Sequence, residues 1–202
     1  MDDIVLRGMA KWPDVPAVYG WLALNRRGQW LIKGDPISNP AVSAFIGRNY
    51  ERDSTGHWFF QNGPQRVFVS LEYTPFVYRV AGADDSAFSL ETHTGGRTAS
   101  IAGMWVDEHG VLLAQGDRGV GVIHDHDLDA LARAFVDERG ELVDESALDA
   151  SMERLQQGRA APLWFKYGAT VVKVAPLQSR DVPRRFDFVA VPAAPEGHPD
   201  CT

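Results

Sequence analysis

The stretch from His57 to Val80, HWFFQNGPQRVFVSLEYTPFVYRV, is the densest apolar and aromatic run in the chain. It reads as strands. Trp58-Phe59-Phe60 suits a pleated, half-buried surface. Asn62-Gly63 marks a tight turn, because both residues tolerate positive φ, and Pro64 fits the turn or its exit rather than a central strand. Val67, Val69 and Leu71 then alternate with Phe68, Ser70 and Glu72, with Phe68 an apolar exception on the outer side. Tyr73-Thr74-Pro75 breaks the run, and Phe76 to Val80 begins another strand.

An echo of this plan lies about half a chain away. Trp21 to Leu24 runs into Asn25-Arg26-Arg27-Gly28, and Gln29 to Lys33 returns to end at Gly34-Asp35. Met104-Trp105-Val106 likewise runs into Asp107-Glu108-His109-Gly110, and Val111 to Gln115 returns to Gly116-Asp117. Without a gap, Gly28 falls on Gly110 and Gly34-Asp35 on Gly116-Asp117. Leu22 and Leu24 fall on Met104 and Val106, and Leu31 on Leu113. A helix follows each pair. Ser38 or Asn39 can cap the first, with Pro40 at its first position and Val42, Phe45 and Ile46 as its apolar face. Asp125 or Asp127 can cap the second, which the spacing of Leu128, Leu131, Ala132 and Phe135 carries to about Glu138. Trp58-Phe59 then corresponds to Trp164-Phe165, and Val67 to Val69 to Val171 to Val174. Phe76–Val80 and Phe186–Val191 are expected as the last strand of each copy. Hairpins with glycine turns recur by chance, but here the order of elements agrees as well as the residues, which favours duplication.

The expected fold is therefore α+β: a duplicated ββαβββ motif, two similar β-rich halves with a helix packed on each sheet. Residues 1–85 would hold the first repeat with an N-terminal extension, a short helix from Met1 to Lys11 with Ile4, Val5 and Met9 on one face. An extended Trp12–Pro16 segment follows. Residues 86–100 would be a connector, with a turn at Gly82–Ser86 before it, a short strand over Ala87–Thr92 and another turn at Thr94–Thr98. Residues 101–191 would hold the second repeat with a helical insertion near 142–157 bearing Leu148, Met152 and Leu155. Residues 192–202 read as a flexible tail.

Composition narrows the function. A formal charge of −7 argues against nucleic acid as a partner, since that affinity rests on a basic surface meeting phosphates. The single Cys201 allows no internal disulfide and no cysteine metal site. A reducing, cytoplasmic setting is the expectation, with no signal peptide and no run long enough to span a membrane.

The pattern of helix, then G-x-W-F-x-x-N-G-P-x-x-V-x-V, then T-P-F-V is carried by Phe45, Asp53, Gly56, Trp58, Phe59, Pro64, Val67, Val69, Pro75, Phe76 and Val77. It resembles an uncharacterised proteobacterial domain-of-unknown-function family with repeated β-rich motifs. The resemblance covers most of the first copy and the outline of the second. It implies a duplicated α+β fold and a role in signalling or regulation. That family offers no catalytic residues to carry over.

Candidate chemistry is sparse. His124-Asp125-His126-Asp127 alternates imidazole with carboxylate, so His124 and His126 are candidate metal ligands, with His93, His57 or His109 as a third. The alternative is helix capping, which that position demands anyway. Gly116 to Gly121 reads as a Gly-rich link from strand to helix that can present N–H groups to an anion, with Arg118 and Gly119 as candidate contacts. Thr94-Gly95-Gly96-Arg97-Thr98 offers Arg97 to the same anion. A flexible connection is the plainer reading of both. Trp21, Trp30, Trp58, Trp105 and Trp164 are core or cleft walls, with Trp58 and Trp164 as candidate ligand contacts. Arg26-Arg27 and Arg184-Arg185 read as edge-protecting charges. No G-x-S-x-G or H-E-x-x-H motif and no spaced carboxylate pair is present.

The function expected is a non-catalytic, cytoplasmic small-ligand-binding or regulatory protein with a cleft between the repeats. Its expected partner is a small anionic ligand or a protein, with no membrane or nucleic acid, and a homodimer is a further expectation. No cofactor is assigned. The alternatives are a metal-dependent hydrolase using His124 and His126, and a scaffold pairing through a strand edge.

Overall fold

Two turns, one in each half, are built from the same hydrogen bonds. Asn25 Oδ1 accepts from the N–H groups of Arg27 (3.0 Å) and Gln29 (2.9 Å). Asp107 Oδ1 accepts from those of His109 and Val111, both at 2.9 Å. Gly28 and Gly110 close the two turns at φ 77° and 80°, a region that glycine enters without strain. Asp53 with Thr55, His57 and Gly56, and Asp137 with Arg139, Glu141 and Gly140, repeat the pattern. The short side chain of Asn or Asp stands in for backbone and fixes each loop.

The computed structural model describes residues 1–12, 15, 17–82 and 88–195. They form two units, one of residues 1–75 with the chain from Asp187 onward, the other of Phe76–Phe186. Pro13, Asp14 and Pro16 of the expected extended segment, Ala83 to Ser86 of the expected turn, Ala87, and the tail beyond Pro195 with Cys201 lie outside the described residues.

The first unit opens with α1 (Asp3–Lys11). Strands β1 (Val18–Leu24), β2 (Trp30–Ile32) and β3 (Asp35–Pro36) follow, then α2 (Pro40–Arg48), β4 (Tyr50–Arg52), β5 (Trp58–Asn62) and β6 (Gln65–Leu71). They make one sheet in the order β3-β2-β1-β6-β5-β4, in which β1 and β6 are parallel neighbours. Asn39 caps α2, its Oδ1 accepting from Ala41 N–H at 2.9 Å, with Pro40 at the first helical position. In α1 it is Val5 that is buried, while Ile4 is 66% exposed, so Ile4 does not share the inward face expected of it.

The second unit holds β7 (Phe76–Ala81), β8 (Ser89–Thr92), β9 (Ile101–Val106), β10 (Leu112–Gly116) and β11 (Gly119–Ile123). After a 3-10 turn at Asp125–Asp127 come α3 (Leu128–Leu131), β12 (Phe135–Val136), α4 (Glu145–Gln156), β13 (Trp164–Tyr167), β14 (Thr170–Pro176) and α5 (Val182–Arg185). Its sheet runs β12-β13-β14-β9-β10-β11-β7-β8. From β11 to β12 that is the order of the first sheet, strand for strand, with β9 and β14 the parallel pair. The registers agree too. Leu24 pairs with Trp30 as Val106 pairs with Leu112, and Ala23 with Leu31 as Trp105 with Leu113. The fold is α+β with a duplicated motif, and each copy has two strands outside the expected pattern, β3 and β4 in the first and β11 and β12 in the second.

Four expectations need correction. Phe76–Val80 does not end the first sheet. As β7 it pairs in parallel with β11 and, with β8, extends the second. Phe186–Val191 is not a strand. Arg184 and Arg185 lie in α5, not at a strand edge, and the chain then returns to the first unit, where Leu71 N–H donates to Ala190 O at 2.7 Å. The helix expected to reach Glu138 stops at Leu131, because Phe135 enters β12, where it pairs with Phe165 and is buried in the core. Finally, Gly34-Asp35 does not match Gly116-Asp117. The turn between β2 and β3 is Lys33-Gly34 and that between β10 and β11 is Asp117-Arg118, because β10 is longer than β2.

Candidate functional site

The parallel pair β1/β6 is distorted where its twin β9/β14 is regular. Val18 lies opposite Val67 but Leu22 lies opposite Val69, so β1 carries extra residues at Tyr19-Gly20-Trp21. Gly20 sits at φ 71°, and a Cβ there would meet nothing within 4 Å. The position therefore demands glycine for its backbone conformation and not for space. Trp21 and Leu22 line cavities of about 500 Å³ and about 440 Å³. Lys33 Nζ stands 4.1 Å from the Trp21 ring, a cation–π contact at the mouth of the smaller one.

The larger cavity is an apolar groove. Leu22 and Val67 form its floor, Val42, Phe45 and Ile46 of α2 one wall, and Ile32 the other. Polar groups reach it from Asn62 and Gln65. Ile32 and Val42 are 46% and 40% exposed, so both rims leave large apolar side chains in water.

In the second unit the matching face is covered. There Met104 takes the place of Leu22, and Val172 and Val174 those of Val67 and Val69. Helix α4 packs across β14 and β9, and Leu148, Met152 and Leu155 join the core of Met104, Val172 and Val174. Helix α2 of the first unit lies over β5 instead. With no counterpart of α4 in that chain segment, a groove remains beside α2, where Val18 and Val67 are half-buried and Ile32 is exposed, while Leu22, Leu24, Val69 and Leu71 are buried.

The residues singled out from the sequence lie elsewhere. The Gly116–Gly121 stretch is a two-residue hairpin from β10 to β11, and no helix begins there. Its glycines make room for Tyr78: a Cβ at Gly121 would come within 2.6 Å of the Tyr78 ring, and one at Gly116 within 2.6 Å of its hydroxyl. Tyr78 Oη donates to Gly119 O at 2.8 Å. The two Gly-Arg turns do meet. The Arg118 guanidinium lies against Gly96, where a Cβ would stand 2.9 Å from its Cζ. Arg97 and Arg118 are both exposed. Trp58 and Trp164 occupy matching places at the start of β5 and β13. Trp58 packs on Tyr50 (4.8 Å between centroids) and Trp164 under Lys173 (5.2 Å).

His124, Asp125 and His126 each offer a ligand atom within 4.8 Å of the others. Among the described residues the third donor of the group is thus Asp125 and not His57, His93 or His109. The Nδ1 of His124 accepts the His126 N–H at 3.2 Å and so caps the 3-10 turn. Asp127 is engaged by Arg79 Nε (2.8 Å) and Val80 N–H (3.1 Å). Burial, with Arg79 nearby, holds the His124 imidazole below its usual pKa, so it is a neutral base available to a cation only if the cap is exchanged. His93 is half-buried. It packs on Phe76, accepts from Val77 N–H at 3.3 Å, and burial pulls its pKa down to about 3.

Fold and groove together define a duplicated α+β protein in which one sheet plan occurs twice and one copy keeps an open apolar face. The chain belongs to the family described as "Protein of unknown function (DUF2946)", whose model matches residues 1–193. Among solved structures, a DUF1285 family protein from Silicibacter pomeroyi DSS-3 shares the fold at 14% identity and a TM-score of 0.53, covering 81% of this chain and 85% of that one. A DUF1285 family protein from Shewanella baltica OS155 is 15% identical with a TM-score of 0.40, over 52% of this chain and 85% of that one. No curated protein matches the chain. No helix among the described residues is long and apolar enough to cross a membrane.

Proposed function

We propose that the chain is a non-catalytic, cytoplasmic binding protein with a regulatory or signalling role, and that it takes an apolar ligand in the groove over β1 and β6. One observation carries this reading: where α4 closes the sheet face in the second unit, the first unit keeps an apolar groove of about 500 Å³. That size falls in the range of ligand sites, and its lining, apolar with a few polar groups at one end, suits an apolar guest. The test is a titration with N-phenyl-1-naphthylamine, an uncharged dye that brightens in apolar sites. The full chain is expected to bind it saturably, and Val67→Trp, which fills the floor, to abolish binding without loss of fold. Equal binding by both proteins would overturn the reading.

A second reading rests on the contact of Arg118 with Gly96. Arg97, Arg118 and the hairpin at Gly119 would receive a small anion at the paired turns. Pyrophosphate should then raise the melting temperature of the wild type and not of the Arg97→Ala/Arg118→Ala variant. An equal shift in both would remove it.

A further inference from the structure

The groove has a template for its occupant within the same chain. We infer that the first unit binds an amphipathic helix of a partner protein, seated over β1 and β6 as α4 is seated over β9 and β14. This deepens the proposed function and rests on its claim that the groove is a binding site.

In the second unit the cover is a helix of 12 residues, about 18 Å long at the usual rise. The strands beneath the groove, β1 and β6, have seven residues each, about 23 Å, so a helix of that length fits along them. Helix α4 turns Leu148, Ser151, Met152 and Leu155 inward, spaced i, i+3, i+4, i+7. That is the anchor pattern by which a helix fills an apolar groove. What those anchors meet has a direct equivalent. Met104 and Val172 correspond to Leu22 and Val67, which are apolar and of similar bulk; Leu22 is already buried, so the surface open to a helix is that of half-buried Val67 and the two rims. The rims differ in the way an intermolecular site requires. Ile32 and Val42 stay 46% and 40% exposed, apolar surface that a helix laid between them would bury.

The probe is a fluorescein-labelled peptide of residues 144–157, with a hydrocarbon staple joining positions 149 and 153. Both positions are exposed in α4, so the staple fixes the helix without touching the anchors. Fluorescence anisotropy is followed as the full-length chain is added, with N-phenyl-1-naphthylamine binding measured in parallel. The expected result is saturable binding that displaces the dye, at least about tenfold weaker for Val42→Glu on the exposed rim and for a peptide carrying Met152→Asp. Val42 is solvent-facing, so its substitution leaves the fold in place. If the dye binds in the groove and the peptide does not, the helix is overturned and the groove stands. If neither binds, the groove itself is refuted. Peptide binding unaffected by Val42→Glu would place the helix elsewhere and also overturn the proposal.

Discussion

Asp107 has no solvent exposure, and its Oδ1 accepts two N–H groups of its own turn. Asn25 shows that an amide oxygen does the same work at the matching position. Asp107→Ala should therefore destabilise the chain by about 1–3 kcal/mol, since two N–H groups lose their acceptor, and Asp107→Asn by much less. Urea unfolding of the two variants checks this, and equal losses would show that the charge matters rather than the acceptor. His93 sets a pH dependence. Its folded pKa of about 3 lies below the 6.5 of an unperturbed imidazole, so as pH falls the unfolded chain takes up the proton first. Stability is full above pH 6.5 and lost from there down towards pH 3, at a limiting slope of about 1.4 kcal/mol per pH unit. His124 shifts in the same direction, while Asp53 and Glu108, whose pKa values are lowered, act below the carboxylate range. His93→Gln keeps an acceptor for Val77 N–H and should flatten the slope between pH 6.5 and 5. An unchanged slope in thermal melts across that window would exclude His93 as its source.

Elements were legible in proportion to how local their causes are. The hairpin turns announce themselves through Gly28, Gly110 and Asn62-Gly63, and α2 through Asn39-Pro40. The doubled Asx turn was also available, since Asn25, Asp53, Asp107 and Asp137 each precede a glycine by three positions. Strand partners are a different matter. The apolar run after Tyr73-Thr74-Pro75 marks Phe76–Val80 as a strand, but nothing local says that its neighbour is β11 and not β6. The helix expected to reach Glu138 failed because Phe135 satisfies a helical spacing and a β-bridge equally well. The groove is legible only by comparison: an insertion present in one copy and absent from the other leaves a face uncovered. The same asymmetry predicts stabilities. Leu155, on the inner face of α4, is 1% exposed, and Leu155→Ala should cost about 2–5 kcal/mol. Val42→Ala, on the open rim of the groove, should stay within about 0.5 kcal/mol. Comparable losses in denaturant unfolding would mean that the rim is packed and the groove closed.

At the scale of the whole chain, the duplicated plan explains why one sequence carries both a filled and an open version of the same sheet. A mixed sheet with a central parallel pair needs a long connection between its parallel strands, here β2 to β5 in one copy and β10 to β13 in the other. Insertions into such a connection can cover the sheet without disturbing its register, as α4 does. A divergence of that kind leaves the strand order intact while giving the halves different surfaces. The most direct measurement is hydrogen–deuterium exchange on the full chain with and without N-phenyl-1-naphthylamine. The account predicts added protection in β1, α2 and β6, with β9, α4 and β14 unchanged. Protection that instead appeared in β9 and β14, or in neither set, would contradict it.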